Sequence, residues 1–289
     1  MKVTGFTFIK NAILYDYPVS EAIRSILPLC DDFVVAVGNS SDETRALIQA
    51  IDPSKIKIID TVWDDSLREG GKVLAVETDK AFHAIDANSD WAFYIQGDEV
   101  IHEKYLGNIK SAMEKWKDDL NVDGLLFNYL HFYGSYDYVG GSPRWYSKEI
   151  RVIRNNKSIY SYRDAQGFRK GENEKLRVKP VEAWVYHYGW VKMPAAMQKK
   201  QESFAKLWHD EAWSEKNIIK ADEFDYSNVD YLVPFKETHP EVMQKRIRDK
   251  NWKFDYDISK NKLSLKYRAK LFLQKNFGMN LEYKNYIIV

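Results

Sequence analysis

Trp91-Ala92-Phe93-Tyr94-Ile95-Gln96-Gly97-Asp98-Glu99 is the stretch whose reading decides the fold. Five apolar or aromatic residues run without a break, then give way to an amide, a glycine and two carboxylates. An unbroken apolar run fits a strand buried on both faces, the usual state of a strand in a parallel sheet. The polar residues then lie at its carboxyl end, where open α/β sheets bind ligands. Gly97 lets a ligand approach the backbone. Asp98 and Glu99 are candidates for holding a divalent cation; a solvated turn is the other reading of such a pair.

The same pattern repeats toward the N-terminus. Residues 3–9 form a β-rich run, and 33–37 are continuously apolar. Between them residues 18–29 read as a helix, with Pro18 near its start and Ala22, Ile23, Ile26 and Leu27 on one face. Gly38-Asn39-Ser40-Ser41 is a turn, and the capping-box spacing of Ser40 and Glu43 predicts a helix from there to about Ile51. Residues 56–59 are a third strand. Leu74, Thr78, Ala81, Phe82 and Ile85 mark a helix over 72–85. Such alternation implies right-handed βαβ units and a mostly parallel sheet. It brings Lys10-Asn11, Gly38-Asn39-Ser40 and Gln96-Gly97-Asp98-Glu99 to one rim.

Toward the C-terminus, Leu106, Ile109, Met113 and Trp116 mark a helix and 125–132 a strand. Residues 134–145 read as a loop. Tyr133, Tyr136, Tyr138, Trp145 and Tyr146 around it suit either stacking on a sugar or an aromatic core. Residues 149–154 and 181–190 are strands. The chain then looks helical, over 197–208 and 240–249. Residues 259–275 are basic and amphipathic, with Leu263, Leu265, Leu271 and Leu273 among lysines.

Composition narrows the class. The 289 residues, 45% hydrophobic and 29% charged, allow one large α/β domain or a domain with a helical appendage. A net charge of +1, from 43 Lys+Arg against 42 Asp+Glu, gives no support for nucleic-acid binding. The single cysteine, Cys30, excludes an intramolecular disulfide and reads as a packed residue. There is no signal-like start and no run of roughly 18 apolar residues, so the cytoplasm is the expected compartment. His187, inside the aromatic run 184–190, is either a satisfied core histidine or a nitrogen ligand. His83, His102, His131, His209 and His239 show no ligand spacing and are expected to be structural or at the surface.

Over about residues 3–190 the order of segments resembles family 2 glycosyltransferases, which have a GT-A fold. Phe8-Ile9-Lys10-Asn11 looks like the end of the first strand, which lies along the nucleotide. Val37-Gly38-Asn39-Ser40-Ser41-Asp42-Glu43-Thr44 is similar to the family's acidic turn, D-D-G-S-T-D-G-T, with Val37 in place of the first Asp. Residues 71–81 resemble the helix after a small-residue loop near the diphosphate. There Glu77-Thr78 replaces a common Arg-Asn pair, which shifts phosphate contacts to Lys72 or Arg68. Gln96-Gly97-Asp98-Glu99 looks like the D-x-D-E metal motif with Gln96 for its first Asp. Arg151-Val152-Ile153-Arg154 and Asp164-Ala165-Gln166 fall where the family places its acceptor side and catalytic base, and His187 where many GT-A enzymes supply a further metal ligand.

The resemblance implies an α/β, GT-A domain over 1–193 with a helical extension over 194–289. It implies inverting transfer of a sugar from a nucleotide-sugar donor to a glycan or lipid-linked acceptor in cell-surface polysaccharide or glycan synthesis. Phe8 and Lys10 would contact the donor, with Gly38 and Asn39 at the turn, Gly71 and Lys72 near the diphosphate, and Gln96 and Gly97 near ribose or sugar. Asp98 and His187 would hold Mg2+ or Mn2+. Asp164 would be the base, with Glu149 the other candidate. The basic tail reads as a solvated helix packing on the domain or as a helix lying on the inner face of the membrane, where a lipid-linked acceptor would be found. The alternative is a sugar- or nucleotide-binding protein of the same fold without effective catalysis. A nucleotidyltransferase is a weaker alternative, because no Gly-rich phosphate loop follows the first strand.

Overall fold

A computed structural model describes residues 1–64, 66–67, 70–208, 213, 221–277 and 281–289. Strands β1 (Val3–Ile9), β2 (Asp32–Gly38), β3 (Ile56–Thr61) and β4 (Trp91–Tyr94) lie in the order β3-β2-β1-β4, all parallel. Helices α1 (Val19–Ile26), α2 (Thr44–Gln49) and α3 (Lys72–His83) make the crossovers. The apolar runs are unbroken because both faces are covered. Phe33, Val35, Val37, Trp91 and Phe93 pack on one side with α1 residues. Phe6, Val34, Ala36 and Tyr94 pack on the other with Phe82 of α3. This is the α/β fold read from the sequence.

Beyond β4 the sheet turns mixed. After β5 (Glu99–Ile101) and helix α4 (Leu106–Trp116) comes β6 (Gly124–Tyr133), then β7 (Tyr138–Gly140) and β8 (Lys148–Arg154). β8 inserts between β4 and β6, antiparallel to both. The hairpin of β9 (Ile159–Tyr162) and β10 (Gly167–Lys170) leads into β11 (Glu174–Trp190), which runs parallel to β6 and antiparallel to β5. β11 is 17 residues long, so one strand reaches both the hairpin and the region beyond β4.

The predicted capping box is replaced by other bonds. Asn11 has φ 53° and turns the chain sharply after β1. Its backbone N–H donates to Ser40 Oγ, and Ser41 N–H donates to its side-chain oxygen, so Ser40 is spent on tying the two turns together. Asp42 Oδ1 instead accepts from Thr44 N–H at 3.0 Å, and α2 starts later than the spacing predicts.

The loop over 134–145 contains β7. Tyr133 and Tyr136 are buried and belong to the core, Tyr133 packing with Tyr226 and Phe254. Residues after 193 return to the same sheet. Helix α5 (Pro194–Trp208) crosses the rim of β1 and β4, β12 (Leu232–Pro234) pairs with β7, and β13 (Tyr286–Ile288) pairs with β11. Arg246, in the short helix Gln244–Arg248, bonds Asp16 and Glu21 beside α1. The helix Leu265–Phe277 buries none of its residues. Among the described residues no helix is long and apolar enough to cross a membrane.

Candidate functional site

A cavity of about 580 Å³ opens at the carboxyl ends of β1 and β4. Phe8, Lys10 and Asn11 enter it from β1, Gln96, Gly97 and Asp98 from beyond β4, and His187 and Trp190 from β11. α5 closes one side with Met197, Lys200, Gln201, Phe204 and Trp208, a stripe at helical spacing.

Asp98 is centred in this cavity by strand pairing. After Gly97 the chain enters β5, whose Glu99 stands opposite His187 in register. Tyr188 N–H donates to the Asp98 carbonyl at 2.7 Å. Gly189 then allows the side chains to converge: a Cβ there would lie 2.7 Å from His187 Nε2 and 2.8 Å from Asp98 Oδ2. Lys200 Nζ donates to Asp98 Oδ2 at 3.2 Å and to the Gly189 carbonyl at 3.1 Å. Burial opposes ionisation of Asp98, but the Lys200 ammonium, which donates to it, holds its carboxyl well below the usual range.

The state of His187 follows from a chain of hydrogen bonds. His131 Nε2 lies 2.8 Å from the Tyr146 carbonyl, which can only accept, so that nitrogen carries the proton. Burial, and then His187, push His131 down to about 3, so its ring is neutral and Nδ1 is an acceptor. His187 Nδ1, 3.1 Å away, must therefore donate. Burial lowers the pKa of His187 too, which leaves Nε2 as a bare lone pair 3.7 Å from Asp98 Oδ1. Fixing the tautomer through the second nitrogen is how a ligating imidazole is oriented. Yet the donor set fits a resident divalent ion poorly. Among the described residues no group of three or more His, Cys, Asp or Glu gathers there, and one oxygen of Asp98 already carries an ammonium.

Glu99, the second carboxylate of the motif, faces away from the cavity into the core. Arg151 Nε and Nη2 bond its two oxygens at 2.8 and 2.7 Å, both side chains being fully buried. Tyr129 Oη donates to Glu99 Oε1 at 2.8 Å and Gln96 N–H to Oε2 at 3.1 Å. Glu99 thus pins the turn that presents Asp98. Gln96 borders the cavity, and its amide donates to the Ala165 carbonyl at 3.0 Å.

Asp164 reaches the cavity from the turn between β9 and β10, between Arg163 and Ala165, which have φ of 59° and 63°. Burial raises its carboxyl pKa. Glu149 is not in the cavity lining. It is buried beneath, with Oε1 accepting from Gln166 and Oε2 unpaired, and burial pushes its carboxyl up to about 8. At neutral pH it is an acid without access to a ligand.

The predicted donor-binding residues separate into two groups. Phe8, Lys10, Gln96 and Gly97 line the cavity. Gly38 and Asn39 lie outside: Trp63 stands against Gly38, where a Cβ would meet the indole at 2.4 Å, and Asn39 is exposed. Gly71 has φ 70° and is hemmed by Trp208 and Asp164, while Lys72 is exposed beside it. Arg68 and His209 lie outside the described residues.

Lys200, Lys192 and His131 are site residues that the sequence reading does not single out. Lys200 and Lys192 both stand over the Tyr17 ring, at 4.9 and 4.4 Å. His131 becomes visible only through register, as the partner of His187 across β6 and β11. For Lys200 a signal exists: it falls in the stripe Met197, Gln201, Phe204, Trp208 of one helix face.

No protein-family model matches the chain, and no curated protein matches it. Similar solved structures include S. aureus TarS 1-349, at 12% identity and TM-score 0.39, covering 77% of this chain and 67% of that one. The chain spans only 41% of the longer S. aureus TarS structure. Glucosyl-3-phosphoglycerate synthase from Mycobacterium tuberculosis, solved with Mn2+, UDP and glucosyl-3-phosphoglycerate, is similar at 16% identity and TM-score 0.31, over 46% of this chain and 45% of that one. 4-Diphosphocytidyl-2C-methyl-D-erythritol synthase from Anaerococcus prevotii is similar at 12% identity and TM-score 0.39, over 71% and 94%. At these identities and scores the likenesses say nothing of what this chain binds.

Proposed function

We propose that the chain transfers a sugar from a nucleoside diphosphate donor to an acceptor hydroxyl, as the resemblance to family 2 glycosyltransferases implies. The observation that carries this reading is the make-up of the cavity. One end holds Asp98, His187 and Lys200, and its walls include Trp63, Tyr146, Trp190 and Trp208. A charged end suits a diphosphate, and aromatic walls suit a base and the C–H face of a sugar. Asp164 is the proposed base, buried enough to keep a raised pKa and open to the cavity. Inversion follows when the acceptor oxygen attacks the face of C1 opposite the departing diphosphate. The expected Mg2+ or Mn2+ would have only Asp98 and His187 among the described residues to sit on.

The test is release of nucleoside diphosphate by purified protein from UDP-, GDP-, CDP- and ADP-sugars, with added saccharide acceptors and Mn2+. Turnover of at least one donor is expected. Absence of both hydrolysis and transfer with every donor would leave a binding protein of the same fold.

The same reading places the chain in the cytoplasm, with a lipid-linked glycan acceptor at the inner membrane face. The helix Leu265–Phe277 supports this with Lys266, Arg268, Lys270 and Lys275, no acidic residue, and exposed Leu265, Phe272 and Phe277. The full chain should sediment with vesicles containing anionic lipid and not with neutral ones. Changing the four cations to Gln should abolish this; deletion is a poor test, because β13 beyond the helix belongs to the main sheet. Equal sedimentation of the neutralised variant would end the membrane assignment.

A further inference from the structure

We infer that Lys200 is the cation that receives the donor's diphosphate, taking at Asp98 the part expected of a divalent ion, so that donor binding needs no metal. The inference rests on the transferase reading above and adds the identity of its charge-neutralising group.

Three features put an ammonium in that role. The first is its hydrogen bonding. Lys200 Nζ has three hydrogens. Among the described residues Asp98 Oδ2 and the Gly189 carbonyl take two of them, leaving one for a phosphate oxygen. The second is confinement. The Lys200 side chain is only 13% exposed, yet it lines the cavity. Its ammonium stands 4.9 Å from the Tyr17 ring centroid and 5.3 Å from that of Phe204. Tyr15 Oη donates to Ser203 Oγ at 2.8 Å, tying α5 to the connection after β1 and holding Lys200 over the site. The third is what lies behind it. Lys192 is fully buried and donates to the Asp16 carbonyl, 4.4 Å from the same Tyr17 ring, and burial, then the Lys200 charge, pushes its ammonium well below the usual lysine range. Lys200 is therefore the ammonium that faces the cavity beside Asp98.

A divalent ion faces the opposite situation. Magnesium-type ions in such sites are held by one or two carboxylates together with water and substrate phosphates. Here the carboxylate, Asp98, already carries the Lys200 ammonium, which an ion must first displace. In the transfer step the bond from C1 to the β-phosphate oxygen breaks, and its electron pair stays with the nucleoside diphosphate. The acceptor oxygen forms the new bond to C1 and passes its proton to Asp164. Lys200 keeps its own proton throughout and pairs with the charge that develops on the leaving oxygen.

Calorimetry of UDP, GDP, CDP and ADP with the full chain, first in EDTA and then in Mn2+, tests this. At least one nucleotide should bind in EDTA, with affinity within about threefold of that in Mn2+. K200M should weaken binding in EDTA by about tenfold or more, the scale of a charged hydrogen bond, and K200R should recover part of it. K200M also frees Asp98, so Mn2+ should now restore binding. Wild-type binding that disappears in EDTA and returns with Mn2+ would overturn the role of Lys200 and leave the transferase reading intact. Binding of none of the four under either condition would overturn both. Because the wild-type response to EDTA is decisive by itself, the test survives a K200M variant that fails to fold.

Discussion

Asp164→Asn should lower turnover by about 10²–10⁴-fold while leaving nucleoside diphosphate affinity within about twofold of wild type. The amide matches the carboxylate in size, so the packing of the turn against Gly71 is kept and only proton acceptance is lost. The direction of the Asp164 pKa adds a second readout. Burial raises it above the ordinary carboxylate value, so the base is protonated, and inactive, over a wider acid range. The kcat/KM of the wild type should fall as pH drops through that raised value, and the variant should lack this acid limb. Unchanged turnover would remove Asp164 from the reaction. Loss of nucleotide binding together with turnover would make it a donor-binding residue instead.

The sequence carries the first half of the fold because there local pattern and tertiary structure agree. The unbroken runs at 33–37 and 91–95 read as doubly buried strands, and α1 and α3 on opposite faces of the sheet are the reason. Agreement of levels also explains why the rim was legible: Lys10, Asn11, Gln96, Gly97 and Asp98 follow directly from where β1 and β4 end. It fails where the sheet stops being parallel. Nothing in 148–154 announces that β8 will slide between β4 and β6, and nothing in 99–101 announces that it will pair with β11. The centre depends on those non-local pairings. Glu99 meets Arg151 through one, and His131 meets His187 through another. Gly38 and Asn39 lie outside the cavity lining for a related reason. Trp63, from a segment whose placement the local sequence does not encode, stands against Gly38, while Asn39 is exposed.

Arg151→Met should destabilise the protein by about 3–5 kcal/mol, the cost of leaving a buried charge without its partner. Glu99 has no access to water and accepts from Arg151, Tyr129 and Gln96 N–H. Without the guanidinium its charge is opposed by neutral donors alone. Arg151 also donates to the Ile150 and Gln166 carbonyls, which lose those bonds. Chemical denaturation read by tryptophan fluorescence would report the change. Adding Glu99→Gln to this variant should return a good part of the loss, because the orphaned charge disappears and the bond from Tyr129 can remain. A double variant no more stable than Arg151→Met would show that the pair contributes through packing, not charge. Glu99→Gln alone separates stability from activity. It removes the ion pair and leaves the Arg151 charge without a carboxylate, but its amide oxygen can still accept from Gln96 N–H, so the turn of the folded variant should still present Asp98. Nucleotide binding should therefore survive in Glu99→Gln at temperatures where the variant stays folded. A loss of binding by folded Glu99→Gln would mean that the charge of Glu99, and not only its position, shapes the field at Asp98 and Lys200.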